Sequence, residues 1–289
     1  MKIELECISC IFNQALRVTK ELKLDTKVAK EILDRSALML PKFDLNKTPP
    51  QNATPIYQEI SKILKVDDLY SELKQNSIKE AKKFIPLSKE YIKNSNNKFK
   101  TATKIAVAGN VIDLASEIRF DLKDEMQKVL TTPFAIDHTD ILYDKLKSSK
   151  IVVYLADNAG ENIFDQIYLE SIKEIFKDIK IYYFVRSEPI INDICIKDIK
   201  KDDPLYHVAS IVDSGVKTPG LIIDDMKKEA KELFKRADCI ISKGMGNFEC
   251  LNEVKNYPIF YLLKIKCLVV ARELNLKLGD IVCKSHNHV

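Results

Sequence analysis

Five short apolar runs in the second half of the chain set the strongest limit on its fold. IVVYLA (151–156), KIYYFV (180–185), HVASIVD (207–213), DCIIS (238–242) and IFYLL (259–263) are rich in β-branched and aromatic residues. Helical patterns lie between most of them, at 161–177, 225–236 and 247–254. A strand that is apolar on both faces must be covered on both faces. Strands that alternate with helices are most simply joined as parallel neighbours. The pattern therefore predicts an α/β fold with a mostly parallel sheet between helical layers.

The chain changes character near residue 150, and its first half reads as helical. Residues 8–22 put Ile8, Ile11, Ala15, Leu16 and Val18 roughly on one helix face, and 26–40 repeat the pattern with Val28, Ile32, Leu33 and Leu38. The three prolines between Thr48 and Pro55 predict a loop. Further helices are expected over 56–65, 68–84, 87–94 and 99–116. Gly109 inside the last of these costs roughly 1 kcal/mol against Ala, so it marks a candidate close approach. The expected division is a helical N-terminal lobe over 1–148 and an α/β domain over 149–289.

Composition excludes several classes. With 46 basic and 42 acidic residues the net charge is +4, too balanced to argue for nucleic acid as a partner. No window holds 18 apolar residues, so no membrane helix is expected. The start, MKIELECISC, has acidic residues where a signal peptide needs an apolar core, which predicts a cytoplasmic protein. Seven scattered cysteines in a reducing compartment read as thiols or ligands, not as a disulfide framework.

In open α/β sheets ligands bind beyond the carboxyl ends of the strands. Polar groups follow all five runs. The first is followed by Asp157-Asn158-Ala159-Gly160-Glu161-Asn162, the second by Arg186-Ser187-Glu188-Pro189 and then Asn192-Asp193. The third leads to Asp213-Ser214-Gly215, the fourth to Lys243-Gly244-Met245-Gly246-Asn247, and the fifth to Lys264, Lys266 and Cys267. Asp157, Asn158 and Asp193 offer hard oxygen donors suited to Mg²⁺ or Mn²⁺, and the chain has four histidines and no HExxH. Lys243, Gly244 and Gly246 stand where a helix should begin, and backbone N–H groups there favour an anion. A metal beside an anion cradle is the equipment of phosphoryl chemistry.

Each piece also has a plainer reading. Asp-Asn-Ala-Gly after a strand serves as an Asx-capped turn, a lone KGxG is no Walker motif, and Asp193 serves as a helix cap. Asn110 and Asp113 share a helix face, and on local grounds a solvated or capping pair ranks first. Cys7 and Cys10 are half of a structural zinc site, with Cys267 as a candidate third ligand, or simply a pair of buried thiols. The tail His286-Asn287-His288 reads as a frayed terminus.

Together the segments CISC (7–10), AVAGNVID (106–113), LADNAGENIFD (155–165), VRSEPIIND (185–193), DSG (213–215), ISKGMGNFE (241–249) and LLKIKC (262–267) resemble the damage-control phosphatase family, in its CxxC-containing microbial and archaeal branch. The likeness spans nearly the whole chain. DNAGE and SKGxGN(F/Y)E are its specific parts, and CxxC alone is not.

The resemblance implies a helical lobe on a Rossmann-like three-layer α/β/α domain. It further implies hydrolysis of phosphate monoesters, such as sugar phosphates or damaged phosphometabolites, that depends on a divalent metal (Mg²⁺, Mn²⁺, Co²⁺ or Ni²⁺). By that likeness Asp157, Asn158 and Asp193 hold the metal, Lys243 contacts phosphate, and Asn110 reaches the pocket from the helical lobe. The likeness thus reverses the local ranking for Asn110. Two departures bear on substrate choice: Leu69 replaces a proline in a DPY-like segment, and Ser187-Glu188 stand where relatives carry small residues.

The expected function is thus a metal-dependent phosphatase with a small phosphorylated metabolite as its partner. Backbone amides from Gly244 to Asn247 join Lys243 at the phosphate, and Glu161, Asn110 and Asp213 are candidates for pocket hydrogen bonds or proton handling. Two other readings stand beside it. A Rossmann-like methyltransferase would need a glycine pattern that the chain lacks, since no GxGxxG follows the first run. A non-enzymatic metal or redox module would use Cys7, Cys10 and Cys267. Oligomeric state, preferred metal and physiological substrate are not readable from the sequence.

Overall fold

A computed structural model describes residues 1–111 and 122–286, without the side chains of Asn110, Val111, Leu122 and Glu125. The chain opens with α1 (Leu5–Glu21), α2 (Thr26–Ala37), α3 (Pro49–Leu64), α4 (Ser71–Lys82), α5 (Ile85–Asn94), α6 (Lys98–Val111) and α7 (Leu122–Thr131). Then come β1 (Phe134–Asp137), α8 (Thr139–Lys147), β2 (Ile151–Leu155), α9 (Glu161–Ile175), β3 (Lys180–Val185) and β4 (Ser210–Asp213). The remainder is α10 (Lys228–Lys235), β5 (Cys239–Lys243), α11 (Met245–Leu251), β6 (Ile259–Lys264), α12 (Leu268–Leu274) and β7 (Ile281–Ser285). Among the described residues no helix is long and apolar enough to cross a membrane.

The expected strands are all present and join in one seven-stranded sheet of order β1-β7-β6-β5-β2-β3-β4. Every pairing is parallel except β6 with β7. Alternate residues of the apolar runs enter opposite cores. Val153 and Leu155 of β2 pack with α1, α3, α11 and α12, while Val152 and Tyr154 pack with α6, α8 and α9. Beyond α6 and α9, Phe84, Met126 and Val129 build a third apolar cluster against Ile105, Phe164 and Ile167. This is why the runs are apolar on both faces: both faces are covered.

Three expectations need correction. The stretch 48–55 is not a loop, because α3 starts at Pro49. Thr48 accepts a hydrogen bond from Gln51 N, and Gln51 Oε1 accepts one from Thr48 N at 3.0 Å, a capping box that starts the helix. Pro49 and Pro50 occupy first-turn positions whose N–H groups would lack a helical partner in any case. Secondly, strands β1 and β7 and helices α7, α8 and α12 were not foreseen. Finally, β1 lies before residue 148, so the sheet takes an edge strand from the N-terminal half, and both apolar cores draw on both halves. The expected boundary at 148/149 is therefore not where the sheet begins. The expected helix 99–116 is seen as α6, and its remainder, with Asp113, falls outside the described residues.

Candidate active site

The chain runs β2, β3, β4 in one direction across the sheet, then returns to place β5 on the other side of β2 and continues to β6. Between β2 and β5 the order reverses, and a crevice opens at their carboxyl ends. Asp157 follows β2 and Gly244 follows β5, so the two loops face each other across this crevice. They are in contact: a Cβ on Gly244, which has φ +79°, would sit 2.0 Å from Asp157 Oδ2. Only glycine allows this approach, both by its φ and by its lack of a side chain.

The loop after β3 closes the third side. Asn158 and Asp193 form an isolated antiparallel bridge, Ile194 N donates to Asp157 O at 2.8 Å, and Ala159 N donates to Asn192 O at 2.9 Å. These bonds lock the Asp157-Asn158 and Asn192-Asp193 dipeptides side by side. The Asn158 amide nitrogen donates to Asp157 Oδ2 at 3.0 Å and to Glu161 Oε1 at 2.9 Å. Its two N–H groups are thereby engaged, which leaves the carbonyl oxygen as its ligand end. Asp193 Oδ2 accepts from Arg186 Nε at 2.8 Å, with both side chains buried.

Beneath this layer lies a second one. Lys243 Nζ is fully buried, 3.0 Å from Glu161 Oε2 and 2.7 Å from Asp165 Oδ1. Asp165 also accepts from Tyr154 OH at 2.6 Å and Tyr183 OH at 2.8 Å. Burial works against the Lys243 charge, but Asp165 and Glu161 outweigh it and hold its pKa above the ordinary value. Burial raises the Asp165 carboxyl and Lys243 opposes the rise. Asp157 is pushed well above the carboxylate range by burial and then by the charges of Glu161 and Asp193. Asp193 is pushed up to about 6 by burial, against the pull of Arg186.

Four buried carboxylates, Asp157, Glu161, Asp165 and Asp193, thus share two buried cations, Lys243 and Arg186. The cluster carries an excess of two negative charges when all are ionised. Its outer donors are oxygens from Asp157, Asn158 and Asp193. A hard divalent cation fits both the charge and the donor set.

These donors line a cavity of about 540 Å³, within the usual range for small-molecule sites. Its other walls come from α1 (Cys10, Gln14, Arg17, Glu21), from Tyr57 of α3, and from Lys266 before α12.

Comparison of the whole chain with known proteins shows its family. The family model for the damage-control phosphatase ARMT1-like domain matches residues 3–282. The chain belongs to the damage-control phosphatase family. It is 34% identical over 287 residues to a damage-control phosphatase of Pyrococcus horikoshii, covering 98% of both chains. It is 32% identical over 293 residues to a damage-control phosphatase of Archaeoglobus fulgidus, covering 98% of this chain and 99% of the other. The crystal structure of a DUF89 family protein from Pyrococcus horikoshii superposes with a TM-score of 0.90 at 33% identity, over 99% of this chain and 100% of that one.

Within this damage-control phosphatase fold the expected site residues separate into groups. Asp157, Asn158, Asp193 and Gly246 line the cavity, while Glu161 and Gly244 stand directly behind it. Lys243 does not reach the cavity: its ammonium is enclosed between two carboxylates, so direct contact with phosphate is corrected to charge balance beneath the site. Asn247 is likewise fully engaged. Its oxygen accepts from Arg186 Nη2 and Leu221 N, and its nitrogen donates to Ala156 O and Lys243 O, which pins the ends of β2 and β5 together and leaves nothing for a substrate. Asp213 lies away from the cavity lining and pairs with Lys227 and Gly215 N. Asn110 is in the last turn of α6, but its side chain is outside the description.

Cys7, Cys10 and Cys267 do come to one cavity wall. All three are free thiols, with Cys7 buried, Cys267 half-buried and Cys10 exposed. Sequence reasoning named Arg186 and Lys266 among the polar groups after the strands without giving them a role, and it missed Asp165 as a site residue. Asp165 was legible as the helix neighbour of Glu161 at i+4 on α9. Nothing local marks Arg186 as the partner of Asp193.

Proposed function

We propose that this chain is a divalent-metal-dependent phosphatase that hydrolyses small phosphate monoesters, such as sugar phosphates or damaged phosphometabolites. The observation that carries this reading is the buried cluster at the β2/β5 crevice, with two excess negative charges and an all-oxygen outer face. Asp157, the Asn158 carbonyl and Asp193 would hold Mg²⁺, Mn²⁺, Co²⁺ or Ni²⁺. Such a cation supplies Lewis-acid stabilisation of charge on a phosphoryl group and lowers the pKa of water.

The chain's own groups do the rest. Arg186 fixes the Asp193 carboxylate, and Asn158 ties Asp157 to Glu161. Lys243 keeps Glu161 and Asp165 in place and offsets their charge. Lys266 faces the cavity, and its charge acts on Asp157, so it takes the phosphate-facing role first expected of Lys243. The first-turn N–H groups of α11, which the helix cannot satisfy itself, border the cavity at Met245 and Gly246 and favour phosphoryl oxygens.

The test is phosphate release from a panel of sugar phosphates, with and without each divalent cation, for the native chain and Asp193→Asn. Native release should depend on added metal and vanish with a chelator. Asp193→Asn should lose at least about 100-fold, the upper end of what even an outer-sphere partner costs. Calorimetry should record weaker metal binding by the variant, and circular dichroism an intact fold. A variant that turns over at the native rate would refute the assignment of Asp193.

A further inference from the structure

One face of α1 has no part in the chemistry above, yet it borders the same cavity. Cys10, Gln14, Arg17 and Glu21 recur at spacings of four, three and four, which aligns them along one side of the helix. Tyr57 and Tyr70 stand opposite. Tyr57 OH donates to Gln14 Oε1 at 2.7 Å, and Tyr70 OH donates to Glu21 Oε2 at 2.8 Å. Burial raises both tyrosines, with Glu21 adding to the rise and Arg17 opposing it, and Tyr57 also feels Asp193. The wall thus runs unbroken from the metal-ligand side, past Tyr57, to Arg17.

The basic groups around this cavity differ in what engages them. Lys243 and Arg186 are held by buried carboxylates. Arg272 at the rim is held by Glu4 and Glu6, at 2.6 and 2.8 Å. Lys266 acts on Asp157 and serves the reacting phosphate. Among the described residues Arg17 has no hydrogen-bond or ion-pair partner, although Glu21 lies one turn away with one oxygen on Tyr70. Gln14 leaves its NH₂ with a single long contact, 3.9 Å to Cys10 Sγ. This wall presents the Arg17 guanidinium and the Gln14 amide nitrogen as donors, with the second oxygen of Glu21 as the acceptor left beside them. The cavity is large enough to place a second group there while a first sits at Asp157 and Asp193.

We infer that the substrate is a phosphate monoester bearing a second acidic group, phosphate or carboxylate, which Arg17 and Gln14 bind on the α1 wall while the scissile phosphate sits at Asp157, Asn158 and Asp193. The inference rests on the phosphatase reading for the scissile end only. A guanidinium presents a planar fork of donors that matches either acid, and this pairing is stronger than a neutral hydrogen bond. An ester lacking the second acid would leave the wall's donors facing water.

The experiment compares matched pairs: fructose 1,6-bisphosphate with fructose 1-phosphate, and 3-phosphoglycerate with glycerol 3-phosphate. Native protein should favour the diacid member of at least one pair by about tenfold in kcat/KM, the scale of one charge-assisted bond. Preference in the first pair alone assigns the second group as phosphate, in the second alone as carboxylate, and in both as either acid. Arg17→Met should bring that ratio close to one, chiefly through KM, and Arg17→Lys should restore part of it. Equal use of both members by native protein, or an unchanged ratio in Arg17→Met, would overturn the inference while leaving the phosphatase reading intact. The same ligands are also titrated by calorimetry without divalent metal. Diacid-selective binding that Arg17→Met loses, with no turnover of any ester under any metal, would sustain this subsite and reject the phosphatase reading instead. No selectivity in either assay rejects the subsite.

Discussion

At the scale of residues, the site depends on buried charges that hold one another. Lys243 is the clearest case. Replacing it by Met would keep its stem but strand Glu161 and Asp165 in a buried layer without their cation. A buried pair broken on one side costs about 3–5 kcal/mol, much more than the pair itself contributes, because the remaining charge is left uncompensated. Lys243→Met should therefore lower the unfolding free energy measured in urea by that amount and reduce activity, although the ammonium touches no cavity. A variant of native stability would disprove the charge-balance role. Gly244 sets a different constraint, which is steric. In Gly244→Ala the new Cβ meets the Asp157 carboxylate, and the backbone at φ +79° is itself strained by about 1–3 kcal/mol. Phosphatase activity should fall by more than this loss of stability explains, because the displaced atom is a candidate metal ligand. Parallel calorimetric metal titration and thermal melts would check the two effects separately.

At the scale of elements, α6 and α9 illustrate how packing sets chemistry. Gly109 of α6 lies directly on Glu161 at the start of α9, and a Cβ there would come 2.6 Å from Glu161 Cγ and 3.0 Å from its Cα. The side chain could turn away, but the Cα could not. Gly109→Ala should push the two helices apart at a cost of about 1–3 kcal/mol and shift Glu161 from Asn158 and Lys243. The expected signature is a lower melting temperature together with weaker metal binding. Unchanged values of both would mean that α6 yields without disturbing the site. The entry of α3 shows the opposite tendency, where local chemistry suffices. Thr48 and Gln51 begin the helix despite its prolines, and Pro49 and Pro50 at its start border the cavity.

At the scale of the whole molecule, the helical and sheet-bearing parts share their apolar interiors. Ile11, Ala15, Ile56 and Ile60 pack with Val153, Leu155 and Tyr261, while Phe99, Ala102 and Ala106 pack with Val152, Tyr154 and Tyr168. Fragments 1–148 and 149–289 would each expose one side of these interfaces, and the second would also lose β1. Neither fragment should unfold cooperatively alone, whereas the whole chain should give one transition, with tyrosine fluorescence and circular dichroism coincident in urea. A cooperative, well-separated transition for the 149–289 fragment would contradict this view.

The sequence by itself determined the elements and the chemistry at their ends. Continuous β-branched and aromatic runs and period-3.6 patterns are local, so IVVYLA and KIYYFV declare strands, and the polar loop after each one follows directly. Asp157 and Asn158 were legible because they stand right after such a run, and Asp193 because it lies in the polar loop that follows the next one. Strands β1 and β7 were less so, since Phe134–Asp137 and Ile281–Ser285 are short and gain their identity only by pairing, β1 with β7 and β7 also with β6. Only the tertiary structure decided that β5 lies beside β2, and so that the sheet reverses there. It also decided that Lys243 meets Glu161 and Asp165, which precede it by 82 and 78 positions, instead of a ligand. The reason is physical. Hydrogen bonding within helices and along strands constrains neighbours in sequence. Burial of charge is settled by whichever groups the chain brings together from afar, and no local pattern carries that choice.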